Sequence, residues 1–314
     1  MKVLLTGATG FIGRAFLARA GSENRFSLRA AVRKNAGNLP VGVESIEIEG
    51  LSASEDWREA LKSCDVVVHT AARVHIMQDM ADDPLAEFRR VNVDGTLNLA
   101  RQAAQAKVRR FIFISTIKVN GETSKFGQPF RADDELSPVD PYAISKHEAE
   151  QGLRQLAEEA GMEVVIIRPP MVYGPEVKAN FRSMIRWVGK GIPLPLGAIH
   201  NKRSFVAVDN LTDFIITCIE HPAAANQTFL VADGDDLSTT ELLQRLGCAM
   251  GKPARLIPVP VGLLKLGATI LGKRAIAQRL CGSLQVDIGK AREILGWTPP
   301  VSVAEGLRRA VRNL

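Results

Sequence analysis

The chain has 314 residues, 46% hydrophobic and 24% charged, which excludes a disordered chain and gives enough apolar material for one large domain or two small ones. The net charge of +6 is scattered in short pieces such as Arg101, Lys107, Arg109 and Arg110, and only 5% of residues are aromatic. This argues against nucleic acid as a partner and suits an anionic small substrate.

In chain order, KVLLTG reads as a short buried strand, and FIGRAFLARAGS has the three-and-four apolar spacing of a helix. SLRAAVR and VESIEIEG read as strands, and SEDWREALKSC as a helix with Ser54 as its N-cap. DVVVHTAA is a continuous apolar strand, the pattern of a sheet covered on both faces. DPLAEFRRVNVDGTLNLARQAAQAKV reads as one long helix, RRFIFIST as a strand, DPYAISKHEAEQGLRQLAEEAG as a second long helix and MEVVIIRP as a strand. This alternation predicts an α/β fold, a doubly wound parallel sheet of the Rossmann type.

After Gly174 the rhythm breaks into Pro- and Gly-rich pieces, VYGPEVKANF and GKGIPLPLGAIHNKRSF, followed by short helices and the strand NQTFLVADG. The expected organisation is a dinucleotide-binding domain over 1–174, with 205–222 packing back on it, and a smaller irregular α/β substrate domain over 175–314. The apolar stretch 257–272 is too short and too broken by Pro, Gly and Lys to span a bilayer. It is expected as a buried or interface helix, with a loose membrane-surface contact as the other reading and no stable insertion.

Cys64, Cys218, Cys248 and Cys281 form no close pair, and His69, His75, His147, His200 and His221 make no metal-ligand spacing with them. Reduced, packed thiols, no metal and a cytoplasmic location are expected; no signal-peptide pattern opens the sequence.

The run Thr6-Gly7-Ala8-Thr9-Gly10-Phe11-Ile12-Gly13 joins the first strand to the first helix. Gly7 permits the tight turn, Gly10 lets a pyrophosphate rest against the backbone, and Gly13 allows close helix–sheet packing. The helix N-terminus supplies free N–H groups and partial positive charge. Where an NAD site usually carries a ribose-binding carboxylate, the second strand ends in Arg33 and Lys34. A guanidinium can clasp a 2′-phosphate, so NADP(H) is favoured, with NAD possible.

Tyr142 and Lys146 stand at i and i+4 at the start of a predicted helix and share one face. A free phenol is a poor base near neutrality, and an adjacent ammonium together with an oxidised nicotinamide would favour its phenolate. Ser115 and Thr116 end the strand just upstream, at the edge where such sheets bind ligands, and both are available to polarise a reacting oxygen.

TGATGFIG, with its GxxGxxG spacing, resembles the extended short-chain dehydrogenase/reductase superfamily and, within it, the NAD-dependent epimerase/dehydratase family. HTAARV, VNVDGTLNL, RPPMVYGP, NKRSFVAVDNLTD and VDIGKAREILGWTPPVSVAEGL extend the resemblance over nearly the whole chain. It implies Thr116, Tyr142 and Lys146 as the catalytic set. It implies Leu51, Ala71, Ala72, Asn92, Ser115 and Pro169 near the cofactor, beside Gly7, Thr9, Gly10, Phe11, Ile12, Gly13, Tyr142 and Lys146. Asn180 and Arg203 would join Thr116 in meeting a nucleotide-sugar substrate, and the family implies a homodimer through helices over about 84–106 and 142–160.

The sequence departs from the pattern in places: Gly50 precedes Leu51 where an Asp is common, and Asn120 replaces a common Tyr. Sugar 4,6-dehydratases carry Asp-Glu after the catalytic threonine, whereas Ile117 and Lys118 stand here, so dehydration is disfavoured. The expected activity is an NADP(H)-dependent reduction of a UDP-2-acetamido-2,6-dideoxy-hexos-4-ulose for surface polysaccharide synthesis. The alternatives are a UDP-sugar 4-epimerase with tightly bound NAD and a catalytically silent cofactor-binding protein.

Overall fold

The computed structural model describes residues 1–34, 39–74, 83–177 and 179–312, except for the side chains of 179 and 180. The first part of the chain runs β1 (Lys2–Thr6), α1 (Phe11–Ser22), β2 (Ser27–Val32), β3 (Glu44–Glu47), α2 (Arg58–Leu61), β4 (Val66–His69), α3 (Pro84–Arg89), α4 (Thr96–Gln105), β5 (Arg110–Ile114), α5 (Pro141–Ala160) and β6 (Glu163–Arg168). The rest comprises β7 (Met171–Tyr173), α6 (Ala179–Gly189), β8 (Phe205–Ala207), α7 (Val208–Glu220), β9 (Thr228–Leu230), α8 (Thr239–Ala249), α9 (Val261–Ile270), α10 (Arg274–Cys281), α11 (Gly289–Leu295) and α12 (Val303–Val311).

The main sheet has the order β3-β2-β1-β4-β5-β6-β9, and every pairing in it is parallel. Its strands are apolar throughout because successive side chains enter opposite layers. Val3 and Leu5 of β1 join the core on the α1 and α7 side, whereas Leu4 joins the core beside α4 and α5. Val66 and Val68 divide from Val67 in the same way. Each such side chain, buried fully, contributes roughly 1.5–3 kcal/mol. This is the doubly wound parallel sheet expected from the alternation of elements.

The segment 205–222 packs on this layer. Helix α7 lies against α1, where Arg19 Nη2 meets Asp213 Oδ1 at 2.9 Å. The buried Arg110 donates through Nη1 to the carbonyls of Cys218, Ile219 and His221. The sheet draws its last strand, β9, from further along the chain, while β7 and β8 pair separately in parallel. A third core, with Phe181, Ile185, Leu243, Leu246 and Leu307, binds α6, α8 and α12 together.

Three local expectations are corrected. Ser54 does not cap a helix: α2 is a single turn entered through Trp57, a fully buried residue whose N–H is taken by Gln102 Oε1 at 2.8 Å. Tertiary burial of Trp57 thus sets where the turn starts. The long helix expected over 84–106 is broken by a π-helical segment, Arg90–Gly95, between α3 and α4. The stretch 257–272 is not buried: α9 has no buried residue, and Leu263 and Leu266 are 60% and 59% exposed. A single apolar stripe, Val261 and Leu264, suffices to seat it on the third core.

Candidate active site

Strand register brings distant segments to one edge. Thr6 pairs with His69, His69 with Phe113 and Phe113 with Ile166. The residues that follow these strands therefore line up along the C-terminal edge, where open α/β sheets bind ligands. His69 anchors the edge from below: its Nδ1 is hydrogen bonded to Thr6 Oγ1 at 2.7 Å and its Nε2 to Thr96 Oγ1 at 3.0 Å. Burial, reinforced by the nearby Lys146, pushes its pKa down to about 3, so the ring stays neutral.

Gly7 turns the chain with φ +73, and a Cβ there would lie 2.6 Å from Thr70 Oγ1. A Cβ on Gly13 would fall 2.2 Å from the Gly7 carbonyl oxygen, so only glycine lets α1 start this close to the strand. Gly10 is the N-cap of α1 and has no side chain to occupy the first-turn N–H groups. An open helix N-terminus over a bare backbone fits a pyrophosphate. Beside it, Phe11 packs on the third core and Ile12 on the sheet. Ala71 N–H donates to Thr6 Oγ1 at 3.4 Å, and Ala72 follows on the same edge.

Thr9, Arg14, Arg33, Lys34, Glu47, Ile48, Glu49 and Glu55 line a cleft of about 890 Å³ beyond the glycines. Arg33 and Lys34 are exposed, and they share the cleft with carboxylates that the sequence pattern did not place there. Glu55 accepts the N–H groups of Glu49 at 3.2 Å and Gly50 at 3.1 Å. Leu51 packs closely on the π-helical segment: a Cβ on Gly95 would lie 2.9 Å from its carbonyl carbon.

Helix α5 carries Tyr142 and Lys146. Asp140 caps it by accepting the Ala143 N–H at 2.7 Å, and Pro141 opens it. Tyr142 meets Phe88 edge to face, with ring centroids 6.0 Å apart. Its pKa is raised, by burial first and by the Asp140 charge second, so with the protein's own groups alone the phenol is neutral. The expected phenolate is tied to the lysine together with an oxidised nicotinamide, and the lysine alone does not offset burial. Lys146 is buried, and burial lowers its pKa to about 7 against the upward pull of Glu150. The other tyrosine, Tyr173, donates to Asp233 Oδ2 at 2.7 Å inside the third core and serves structure.

Two tethers hold the end of β5 against this helix. Ser115 Oγ donates to Glu150 Oε1 at 2.5 Å, and Lys118 pairs with Asp140. Thr116 lies between them in the chain. Its hydroxyl accepts the Lys118 N–H at 3.3 Å, which leaves its own proton to donate. The Ile117 N–H donates to the Pro169 carbonyl at 3.0 Å, fixing the next crossover. Ser115, by contrast, directs its hydroxyl into the protein.

Glu150 was missed from the sequence. It is fully buried and takes Arg168 Nε at 2.9 Å and Nη2 at 2.6 Å, with Arg154 Nη2 at 3.0 Å. Burial opposes its charge, but Arg168 and Ser115 outweigh burial and hold the carboxyl below its usual range. The only sequence signal is a Glu four residues after Lys146 on a helix otherwise packed inward. Asn92, in the π-helical segment, takes the Arg73 N–H at 2.8 Å and donates to the Arg73 carbonyl at 3.0 Å and Ser145 Oγ at 3.1 Å. It pins the segment after β4 to α5, and the wider turn is what brings it inward.

On the substrate side, Asn180 is in the first turn of α6 and its side chain lies outside the described residues; His75 lies outside them too. Arg203 Nη1 donates to the carbonyls of Arg279 at 2.9 Å and Gly282 at 3.0 Å, and burial draws its pKa below the ordinary guanidinium value. Among the described residues, no group of three or more His, Cys, Asp or Glu is placed to hold a metal, all four cysteines are free, and no helix is long and apolar enough to cross a membrane.

A doubly wound sheet with a dinucleotide loop and a Tyr–Lys pair on the helix facing it defines an NAD(P)-dependent enzyme of the extended short-chain dehydrogenase/reductase type. The model of the NAD dependent epimerase/dehydratase family matches residues 3–232, and the chain belongs to that family. Over 312 residues it is 49% identical to a UDP-glucose 4-epimerase of Vibrio cholerae, covering 99% of this chain and 94% of that one. Over 330 residues it is 27% identical to the N-acetyl-alpha-D-glucosaminyl-diphospho-ditrans,octacis-undecaprenol 4-epimerase of Escherichia coli O157:H7, covering 99% and 94%. Among solved structures, UDP-glucuronic acid 4-epimerase from Bacillus cereus in complex with NAD superposes with a TM-score of 0.79 at 21% identity, over 99% of this chain and 98% of that one. That last likeness speaks to the fold.

Proposed function

We propose that this chain is a UDP-sugar 4-epimerase that keeps NAD through the catalytic cycle, with UDP-glucose or UDP-N-acetylglucosamine as substrate. The observation that carries the reading is the 49% identity along the whole chain to a UDP-glucose 4-epimerase. It favours the epimerase alternative over the keto-sugar reductase expected from Arg33 and Lys34. The cleft supports NAD as well: Glu47 and Glu49 share it with those cations and weaken its draw for a 2′-phosphate.

Gly7, Gly10, Gly13 and the first turn of α1 would hold the pyrophosphate, Arg33, Lys34, Glu49 and Leu51 the adenosine side, and Tyr142 and Lys146 the nicotinamide side. Bound NAD would supply a reversible hydride acceptor for the sugar C4 and, when oxidised, positive charge that favours phenolate. Tyr142 takes the proton of the 4-hydroxyl and gives it back, an exchange that needs its raised pKa brought down. Thr116 donates to the same oxygen and steadies its developing charge. Lys146 lends charge to the phenolate. Residues 175–314 would form the substrate side, with Asn180 and Arg203 toward the diphosphate, and the family's homodimer through α3–α4 and α5 is carried over as part of this reading.

The reductase remains as a second reading because Arg33 and Lys34 are exposed at the end of β2. Denaturing the purified protein and identifying the released dinucleotide, together with an assay of 4-epimer interconversion without added cofactor, tests the proposal. Interconversion with NAD released supports it. Net NADPH oxidation with a UDP-4-keto-6-deoxy sugar, without interconversion, replaces it with the reductase, and size-exclusion chromatography with light scattering tests the dimer.

A further inference from the structure

Helix α9 and the start of α10 present an apolar surface that the fold does not use. Leu263, Leu266 and Ile270 lie at i, i+3 and i+7 on the outer face of α9 and are 60%, 59% and 77% exposed. Leu271 and Ile276 continue the patch between and onto α10 at 71% and 53% exposed. The opposite face, through Val261 and Leu264, is what packs on the third core, so the outer stripe is surplus to folding. Scattered apolar side chains on a surface are ordinary, but a contiguous patch of this kind marks an interaction site.

The charge around it is one-sided. Residues 242–286 contain no Asp or Glu, while Lys252, Arg255, Lys265, Lys273, Arg274 and Arg279 flank or interrupt the stripe along the chain. Among the described residues, the structure gives Lys265, Lys273, Arg274 and Arg279 no ion pair. A second copy docking here across a two-fold axis would set these cations against themselves. An apolar stripe bordered by lysine and arginine, with no acidic residue in the segment, matches instead the interface of an anionic bilayer: side chains enter the acyl boundary while cations meet headgroup phosphates.

We propose that the α9–α10 surface docks the protein peripherally on anionic membranes. The helix lies in the interface plane and does not span it, in keeping with its ten residues. The surface is tied to the substrate side of the molecule, because Arg203 donates to the backbone of Arg279 and Gly282 at the end of α10.

Flotation of the full-length protein with vesicles of phosphatidylcholine alone, and with phosphatidylglycerol added, tests the proposal. The expected result is binding to the anionic vesicles only, weakening as salt rises. L266E should abolish flotation, and the pair K273E/R274E should lower it by at least about tenfold. Both variants should keep the wild-type thermal midpoint and epimerase activity, since the altered side chains are exposed and none belongs to the candidate site. Absence of flotation with anionic vesicles, or flotation undiminished in L266E, overturns the proposal. So does a wild-type dimer in sedimentation velocity that L266E converts to monomer without any vesicle binding, which would assign the surface to a second copy. Failure of the epimerase assay in all forms leaves the flotation result standing, so the two readings fail separately.

Discussion

The ammonium of Lys146 sits 4.1 Å from the centroid of the Phe113 ring, with its side chain almost wholly withdrawn from solvent. The ring face favours the cation, and Glu150 one turn further on does the same, yet desolvation dominates and brings the pKa to about 7. Lys146 is therefore poised to titrate near neutrality before any ligand binds. Phe113 comes from the C-terminal end of β5 and Lys146 from α5, so strand and helix together set the lysine's charge.

One consequence is a pH dependence of the cofactor-free protein. Between pH 7 and 10.5 the unfolded chain holds the Lys146 proton and the folded chain does not, so this group's contribution to stability rises with pH across that window. Urea unfolding of the stripped protein should show that rise, and it should be flatter in Lys146→Met. An identical slope in the variant would mean that Lys146 is ordinary in the folded state.

Tyr142→Phe should lower kcat for 4-epimer interconversion by roughly 10²–10⁴-fold while leaving the dinucleotide affinity close to wild type. The ring and its contact with Phe88 are kept, and only the hydroxyl is removed. Isothermal titration with NAD alongside the activity assay separates the two effects. A fully active phenylalanine variant would remove the acid–base role.

Glu150→Ala leaves the Arg168 guanidinium buried without its charge partner and should cost about 3–5 kcal/mol. Asn120 Oδ1 and the Ala132 carbonyl still accept from Arg168 Nη1, at 3.0 and 3.1 Å, and keep the loss from growing further. Chemical denaturation measures it. The change also frees the Ser115 hydroxyl, so a loss of kcat in protein that is still folded would show that the cluster positions Thr116.

Gly13→Ala places a methyl carbon 2.2 Å from the Gly7 carbonyl oxygen, and backbone must move to admit it. The expected result is destabilisation of about 1–3 kcal/mol, with weakened NAD binding because α1 is pushed away from the turn. Thermal unfolding with and without NAD checks both. A variant that melts and binds like the wild type would show that the turn is looser than its packing indicates.

The parts of the site that could be read from the chain are those made by near neighbours. Gly7, Gly10 and Gly13 act within one turn, Tyr142 and Lys146 within one helical turn, and the strands declare themselves by apolar runs covered on both faces. Ser54 misled because its expected role depended on propensity, while burial of Trp57 decided where α2 begins. The two readings of the activity, reductase and epimerase, could not be separated from the chain because the catalytic set proposed for both is the same Thr116, Tyr142 and Lys146.

The sequence by itself determined the alternation of strands and helices, the glycine turn before α1 and the placing of Tyr142 and Lys146 on one helix, because each depends on φ/ψ preference or on spacing within a few residues. Only the tertiary structure decided that Glu150 neutralises Arg168 beneath Ser115, that Asn92 ties the segment after β4 to α5, and that Glu47 and Glu49 share a cleft with Arg33. It also decided that the outer face of α9 is left uncovered. Those relationships join residues far apart in the chain, and it is the register of the parallel strands and the burial of charge between layers that bring them together.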